Sequence, residues 1–82
     1  MFYVYLLKSK KDNKLYIGRT DNLKQRLVDH CRGQVYSTRN RRPLELKYYE
    51  AYDVREASKE REKKLKNFGS SYYGLLKRLE LK

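Results

Sequence analysis

The chain has 82 residues, with 21 lysines and arginines against 10 acidic residues and a net charge of +11. This length allows one domain, over residues 1–82, whose small core buries roughly 60% of the unfolded-state surface. The single cysteine, Cys31, excludes an internal disulfide and makes a reducing, cytoplasmic location the expectation. No segment approaches the ~18 apolar residues that a membrane span requires, so no insertion into a membrane is expected.

Basic residues recur along the chain and are not confined to a terminal tail. They therefore place charge over a folded surface, which attracts polyanions. The expected partner is nucleic acid first and an anionic membrane surface second. The plain alternative is a basic surface that serves only solubility.

The first two elements predict a β-hairpin. Residues 2–8 combine aromatic and β-branched side chains over the length of a strand. The sequence KKDNK at 10–14 is typical of a turn, and residues 14–18 predict a second strand that ends at Gly18.

Tyrosines recur on one face of this hairpin. Tyr3 and Tyr5 share a face of the first strand, and Tyr16 and Gly18 share a face of the second. A register with Tyr5 opposite Tyr16, or two residues along, clusters the tyrosines on one face and the aliphatic residues on the other. Taken alone, such tyrosines are most simply amphipathic core residues with hydroxyls that reach water.

A helix is predicted next, capped by Thr20 or Asp21 and ended by Gly33. One stripe of it carries apolar residues at i, i+4 spacing, and the neighbouring stripe carries polar ones. The apolar stripe is Leu23, Leu27 and Cys31, and the polar stripe is Asn22, Arg26 and His30.

The remaining elements are a basic loop at 34–43, a strand at 44–52, a charged helix at 55–67 and a last helix at 71–81. The order β-β-α-β-α-α predicts an α+β domain. Its sheet should have three mostly antiparallel strands, flanked by the helices.

Four short motifs, in order, resemble the GIY-YIG nuclease family. They are YVY at 3–5, YIG at 16–18, Arg26 in NLKQR and Glu62 in REKKLK. The first motif departs from the family, since Tyr3 and Val4 replace its glycine and isoleucine, but Tyr5 keeps its tyrosine. The resemblance runs from Phe2 to about Leu79 and is closest to small stand-alone members.

This resemblance implies hydrolysis of phosphodiester bonds in DNA, with RNA as the alternative, and little sequence preference. It assigns one divalent ion, Mg²⁺ or Mn²⁺, to Glu62, and the phosphate to Arg26. One carboxylate suffices in principle, because Mg²⁺ fills its shell with water and phosphate oxygens. No obligate protein partner is inferred.

Either Tyr5 or Tyr16 is implied as the base that activates water. A free tyrosine is only about 0.1% phenolate at neutral pH. We expect positive charge from Arg19, Arg26 and the metal ion to lower the pKa of that tyrosine. Some relatives carry a histidine at the position of His30, where an imidazole of ordinary pKa could take the tyrosine proton.

Each assignment has a plainer alternative. His30 could be a half-buried residue near a helix C-terminus, where a positive charge is favourable. Glu62 could be a solvent-exposed partner of Lys66 at i,i+4. Glu60 competes with Glu62 for the family position, because the run EREKK permits a shift of the alignment. Arg19 is expected to contact phosphate or to tune a tyrosine.

The basic loop predicts further contacts to the nucleic-acid backbone, because hydroxyl and guanidinium groups suit phosphates. The solvated basic loop is the alternative. The residues expected to bind nucleic acid are Arg19, Tyr36, Ser37, Thr38, Arg39, Arg41, Arg42, Lys66 and Lys77.

One departure weakens the catalytic interpretation. Many family members carry an asparagine where this chain has Gly74. Its role is lost, moved to Asn67, or filled by another group such as Lys77. A rival hypothesis is therefore a nucleic-acid-binding module that keeps the fold and charge but cuts slowly or not at all.

Overall fold

A computed structural model describes residues 1–81 and contains a three-stranded sheet and three helices. The strands are β1 (Phe2–Ser9), β2 (Leu15–Thr20) and β3 (Leu44–Tyr52), and the helices are α1 (Leu23–Cys31), α2 (Arg55–Lys66) and α3 (Ser70–Arg78). Both strand pairs are antiparallel, and the order is β2-β1-β3. The α+β prediction is confirmed.

The β1–β2 register is the second of the two expected from the sequence. Tyr5 pairs with Gly18 and Leu7 pairs with Tyr16, so the two tyrosines lie two residues out of register on the same face. Period-two alternation then sends the aliphatic side chains to the opposite face. The hairpin therefore separates a tyrosine face from an aliphatic face.

The aliphatic face forms the core against α2 and α3. The buried cluster consists of Val4, Leu6, Ile17, Leu65, Leu75 and Leu76. Each fully buried side chain of this kind contributes roughly 1.5–3 kcal/mol, so this small cluster is the main apolar support of the sheet. It holds α2 against β2, which is one of the two edge strands of the sheet.

The start of α1 differs from the prediction. Asn22 is the N-cap, and its side chain accepts from the Gln25 backbone N–H at 3.2 Å. Thr20 cannot cap the helix because β2 continues through it, past Gly18. The prediction that β2 ends at Gly18 is wrong because this glycine lies inside the ladder, opposite Tyr5.

The tyrosine face is covered by α1 and by the basic loop. This loop contains a 3-10 turn at Arg39–Arg41, and two of its own residues, Val35 and Thr38, are buried. Gly33 ends α1 in a left-handed conformation, with φ +77°. Nowhere in residues 1–81 is there a helix with the length and apolar character to cross a bilayer.

Candidate active site

The Tyr5 side chain crosses the edge strand at Gly18. A Cβ added at Gly18 would lie 2.3 Å from the Tyr5 hydroxyl oxygen and 2.4 Å from the ring carbon that bears it. Any side chain at this position would therefore displace the phenol. The glycine of the YIG segment is what allows the Tyr5 hydroxyl to lie directly over the β2 backbone.

A buried hydrogen-bond chain begins at this hydroxyl. The Tyr5 hydroxyl lies 2.8 Å from His30 Nε2, and His30 Nδ1 lies 2.7 Å from Thr38 Oγ1. Tyr5 and His30 are 1% exposed, and Thr38 is 0% exposed. The chain thus joins β1, α1 and the basic loop beneath the surface.

Arg26 favours one direction for the hydrogen bonds in this chain. Its guanidinium has donors only and lies close enough to the Tyr5 oxygen to lower the pKa of Tyr5. The Tyr5 proton is then directed to His30 Nε2, which accepts it. His30 must carry its own proton on Nδ1 and donate it to Thr38 Oγ1.

Tyr16 completes a cluster of three rings. Its ring centroid lies 5.3 Å from that of His30 and 6.4 Å from that of Tyr5. Tyr16 is half-buried, and Ser37 Oγ lies 3.4 Å from its hydroxyl. Tyr16 is therefore the more accessible of the two motif tyrosines.

The electrostatics of Tyr5 and His30 differ from the expectation. Burial raises the pKa of Tyr5 to about 12, and the adjacent Arg26 offsets only part of this rise. Burial, and then the positive charge of Arg26, lower the pKa of His30 to about 4. At neutral pH Tyr5 is a phenol and His30 is neutral, so neither carries a charge before a ligand arrives.

Glu62 approaches from α2, on the other side of the edge strand. Its Oε1 lies 3.5 Å from Arg19 Nε on β2, and its Oε2 lies 3.1 Å from Lys66 Nζ. Its charge is close enough to raise the pKa of Tyr5. Glu60 is exposed and lines a surface cleft with lysines, whereas Glu62 contacts a residue of β2, which favours Glu62 over Glu60.

The alternative for Glu62, pairing with Lys66, is present in the structure together with the Arg19 contact. The Glu62 side chain is 22% exposed. Arg19 Nε is buried and donates no hydrogen bond among residues 1–81. This 3.5 Å contact is long for a charge-assisted hydrogen bond, so Oε1 can still accept another ligand.

These donors fit one hard divalent cation. No group of three or more histidine, cysteine, aspartate or glutamate side chains in the described chain is arranged to hold a metal. A closed site of the structural zinc kind is therefore not supported. A single partly exposed carboxylate does fit Mg²⁺ or Mn²⁺, which would complete its shell with water and phosphate oxygens.

The structure corrects one prediction for the basic loop. Thr38 has no exposed surface, so the expectation that it contacts nucleic acid is wrong; its hydroxyl is used by His30. Arg41 Nε is 3.1 Å from Asp12 Oδ2, and Arg42 Nε donates to the Arg39 carbonyl at 2.9 Å. These two guanidinium groups brace the loop.

Other predicted contacts remain on the surface. Tyr36 is 81% exposed, and the Arg39 guanidinium lies over its ring at 4.7 Å. Lys77 lines an exposed cleft on α3 with Gly74. Within residues 1–81, no hydrogen bond or ion pair joins Lys77 to Glu62. Asn67 is the C-cap of α2, and the structure does not bring it to the tyrosines.

The sequence does not predict the roles of two residues in the site, Thr38 and Gly18. Thr38 is expected on the surface, because nothing in a polar, basic loop indicates that one hydroxyl turns inward. The role of Gly18 depends on the cross-strand register, which the sequence restricts to two choices. The pairing of a YIG glycine with a large aromatic residue on the partner strand is the signal that could have revealed it.

Comparison with known proteins agrees with this geometry. A family model described as the GIY-YIG catalytic domain matches residues 1–73. A UPF0213 protein of Staphylococcus saprophyticus is 36% identical over 67 residues, covering 80% of each chain. A UPF0213 protein of Natronomonas pharaonis is 39% identical over 66 residues, covering 79% of this chain and 76% of that protein.

A solved structure is also similar. The solution NMR structure of a UPF0213 protein from Bacillus halodurans superposes with a TM-score of 0.60 at 30% sequence identity. The match covers 96% of this chain and 85% of that one. The shared fold therefore includes the sheet and all three helices.

Proposed function

The chain belongs to the GIY-YIG family, and on that premise we propose that it is a metal-dependent endonuclease that hydrolyses phosphodiester bonds in DNA. RNA is the alternative substrate. The supporting observation is the convergence on the edge strand of the Tyr5–His30 pair, Arg26 and Glu62. We propose that the chain acts in the cytoplasm as one domain over residues 1–82, without an obligate protein partner.

Arg26 is the proposed anchor for the scissile phosphate. Its guanidinium presents a planar fork of donors that matches two phosphate oxygens. Its charge acts on both Tyr5 and His30, so a phosphate bound there would lie near the phenol and the imidazole. Arg19, whose buried Nε makes no hydrogen bond within residues 1–81, is the second proposed donor.

Tyr5 and His30 are proposed to remove the proton from the attacking water. The Tyr5 oxygen accepts the water proton while its own proton moves to His30 Nε2, 2.8 Å away. No free phenolate forms, which suits a tyrosine whose pKa is about 12. Tyr16, whose hydroxyl has no comparable acceptor among the described residues, orients the water or the phosphate.

An anionic substrate would strengthen His30 as the acceptor. Arg26 lowers the pKa of His30, and a phosphate paired with Arg26 would offset that charge. The Nδ1–H bond to Thr38 holds the ring as the proton arrives. Held by Glu62, a Mg²⁺ or Mn²⁺ ion would act as a Lewis acid on the phosphate and stabilise the leaving oxygen.

The exposed basic residues are proposed to position the substrate. Tyr36, Ser37 and Arg39 lie on the loop beside Tyr16, and Lys66 lies beside Glu62. Contacts of this type hold phosphates and sugars without reading bases. Little sequence preference follows from them. Arg41, Arg42 and Lys77 contribute positive charge at greater distance.

The proposal is tested by incubating the protein with supercoiled plasmid and with single-stranded DNA, in Mg²⁺ or in EDTA. We expect nicking in Mg²⁺ only, and its loss in Glu62→Gln. Glu60→Gln is the matched control, because it makes the same change at an exposed site two residues away and should keep its activity. Loss of activity in Glu60→Gln with full activity in Glu62→Gln would overturn the assignment.

A second candidate function rests on Gly74. This residue is exposed at the position of the family asparagine, and a Cβ there would meet no atom within 4 Å. A chain that lacks that group could bind nucleic acid without cutting it. Equal DNA binding by the native protein and Glu62→Gln, with no nicking by either in Mg²⁺, is the result that would establish this function.

A further inference from the structure

A second cleft adjoins the candidate active site. It has a volume of about 310 Å³ and lies between the edge strand β2 and the turn from α2 to α3. Its lining is mostly apolar and aromatic, with no carboxylate and no amide side chain: Leu15, Tyr16, Ile17, Lys66, Phe68 and Tyr72. Clefts of this size and character hold flat organic groups.

Phe68, which lines this cleft, has an unusual backbone conformation and an exposed side chain. It is 57% exposed and adopts φ +57°, the left-handed conformation. At the end of a helix this conformation is normally given to glycine or asparagine, because it is costly for a bulky side chain. Its ring stands edge-on to Tyr72, with centroids 4.9 Å apart. An exposed aromatic ring is thus held at the cleft without being buried in the core.

Two residues of the cleft also contact residues of the candidate active site. Tyr16 forms one wall and also belongs to the ring cluster with Tyr5 and His30. Lys66 also lines the cleft and contacts Glu62 at 3.1 Å. A ligand with one part in the cleft and a phosphate beside Arg26 and Glu62 would therefore contact Tyr16 and Lys66.

We propose that this cleft binds one unpaired nucleobase adjacent to the phosphate held at the candidate active site. The inference rests on the proposed function for the position of that phosphate. Aromatic rings stack with the flat face of any base, and an ammonium at the rim suits the attached phosphate. Because stacking recognises the flat face that every base has, the cleft should accept all four bases.

An unpaired base in the cleft determines which class of nucleic acid the protein should prefer. A base can enter the cleft only if it is unstacked from its neighbours, as in single strands, flaps and splayed ends. The cleft therefore favours these substrates over a continuous duplex. Stacking of this kind is worth about tenfold or more in affinity.

The test compares two oligomers of equal charge: oligothymidylate of ten nucleotides and the same backbone with abasic residues. Binding is measured by fluorescence anisotropy in EDTA, which prevents cleavage. We expect the native protein to bind the base-bearing oligomer about tenfold more tightly. Phe68→Gly should abolish that preference while leaving the affinity for the abasic oligomer unchanged.

Phe68→Gly suits this test because glycine tolerates the left-handed conformation, so the variant should keep the native melting temperature. Phe68→Leu is a second variant, which keeps apolar bulk but loses the flat face, and it should lose the preference as well. Tyr49→Ala removes an exposed ring elsewhere on the sheet and should keep it.

Three outcomes would overturn the proposal. The first is an undiminished preference in Phe68→Gly and Phe68→Leu, and the second is loss of the preference in Tyr49→Ala alone. The third is no preference for the base-bearing oligomer in the native protein. This binding test is independent of cleavage. A base preference that depends on Phe68, in a protein that never nicks DNA, would support the cleft and refute the nuclease.

Discussion

The charge state of His30 is the residue-scale feature on which the proposed proton transfer depends. Its ring is buried between the Tyr5 hydroxyl and the Thr38 hydroxyl, and burial with Arg26 lowers its pKa to about 4. An accepting Nε2 is therefore available at every pH from about 5 upward. An ordinary surface histidine would be largely protonated at the lower end of this range.

We predict that His30 titrates with a midpoint near 4 and keeps its proton on Nδ1 at neutral pH. Because it is the only histidine, its NMR signals need no assignment. Thr38→Val, which removes the Nδ1 partner at nearly constant size, should mix the two tautomers and cost about 1 kcal/mol of stability. A midpoint near 6.5 in the native protein would contradict the buried geometry.

The same shift predicts how stability varies with pH. The folded pKa lies below the unfolded value of about 6.5, so between these values the unfolded chain binds more protons. His30 should therefore destabilise the fold as the pH falls from about 6.5 toward 4. This contribution should be absent above that window.

At the scale of elements, one carboxylate joins β3 to α2. Glu50 accepts from Arg61 at 2.9 Å and also from the hydroxyls of Tyr48 and Tyr52. Its side chain is 13% exposed. Burial alone would raise the pKa of Glu50, but the hydrogen bonds outweigh burial and hold it below its ordinary value. Burial and the bond to Glu50 raise the pKa of Tyr52 to about 12.

We predict that Glu50→Gln lowers the free energy of unfolding at neutral pH by about 2 kcal/mol, because it leaves Arg61 without its charge partner. A depressed carboxyl pKa stabilises the fold above the unfolded value of about 4.3, and this stabilisation is lost as the pH falls through the folded pKa. The variant should therefore lose less stability than the native protein between pH 5 and 3.

Urea unfolding at several pH values measures both effects. Glu60→Gln serves as the control, since the exposed Glu60 should give a curve close to the native one. Parallel pH dependences for Glu50→Gln and the native protein would show that Glu50 does not carry the acid sensitivity.

The elements also show what the sequence could and could not predict. Alternation along β1 and β2 placed the tyrosines on one face because strand side chains obey a local rule. The strand at Leu44–Tyr52 was predicted with its observed bounds for the same reason. The cap at Asn22 and the inward turn of Thr38 depend on where β2 ends and how the loop folds, which are tertiary outcomes.

The candidate site also has features that the sequence predicts and features that it does not. Motif order predicts Tyr5, Tyr16, Arg26 and Glu62 as site residues, and the structure places them near one another at β2. The electrostatics could not be predicted, since positive charge alone suggested a lowered tyrosine pKa. Burial of Tyr5 reverses that direction, and burial is a property of the assembled sheet, helix and loop.

At the scale of the whole molecule, the net charge of +11 dominates the expected interaction with nucleic acid. If about five phosphates are neutralised, the logarithm of the binding constant should fall against the logarithm of salt concentration with a slope of about −4.5 on duplex DNA. Titrations at several salt concentrations measure this slope. A slope near zero would contradict nucleic-acid binding altogether.

The central claim is that the Tyr5 hydroxyl takes part in cleaving a phosphodiester bond. The most direct measurement is the single-turnover cleavage rate, in Mg²⁺, of Tyr5→Phe against Tyr3→Phe. Both variants remove one hydroxyl from the same face of β1, and Tyr3 contacts the Tyr49 ring, away from His30. Tyr5→Phe should cut at least about 100-fold more slowly, with Tyr3→Phe near the native rate. Equal rates in the two variants would contradict the proposed role of Tyr5.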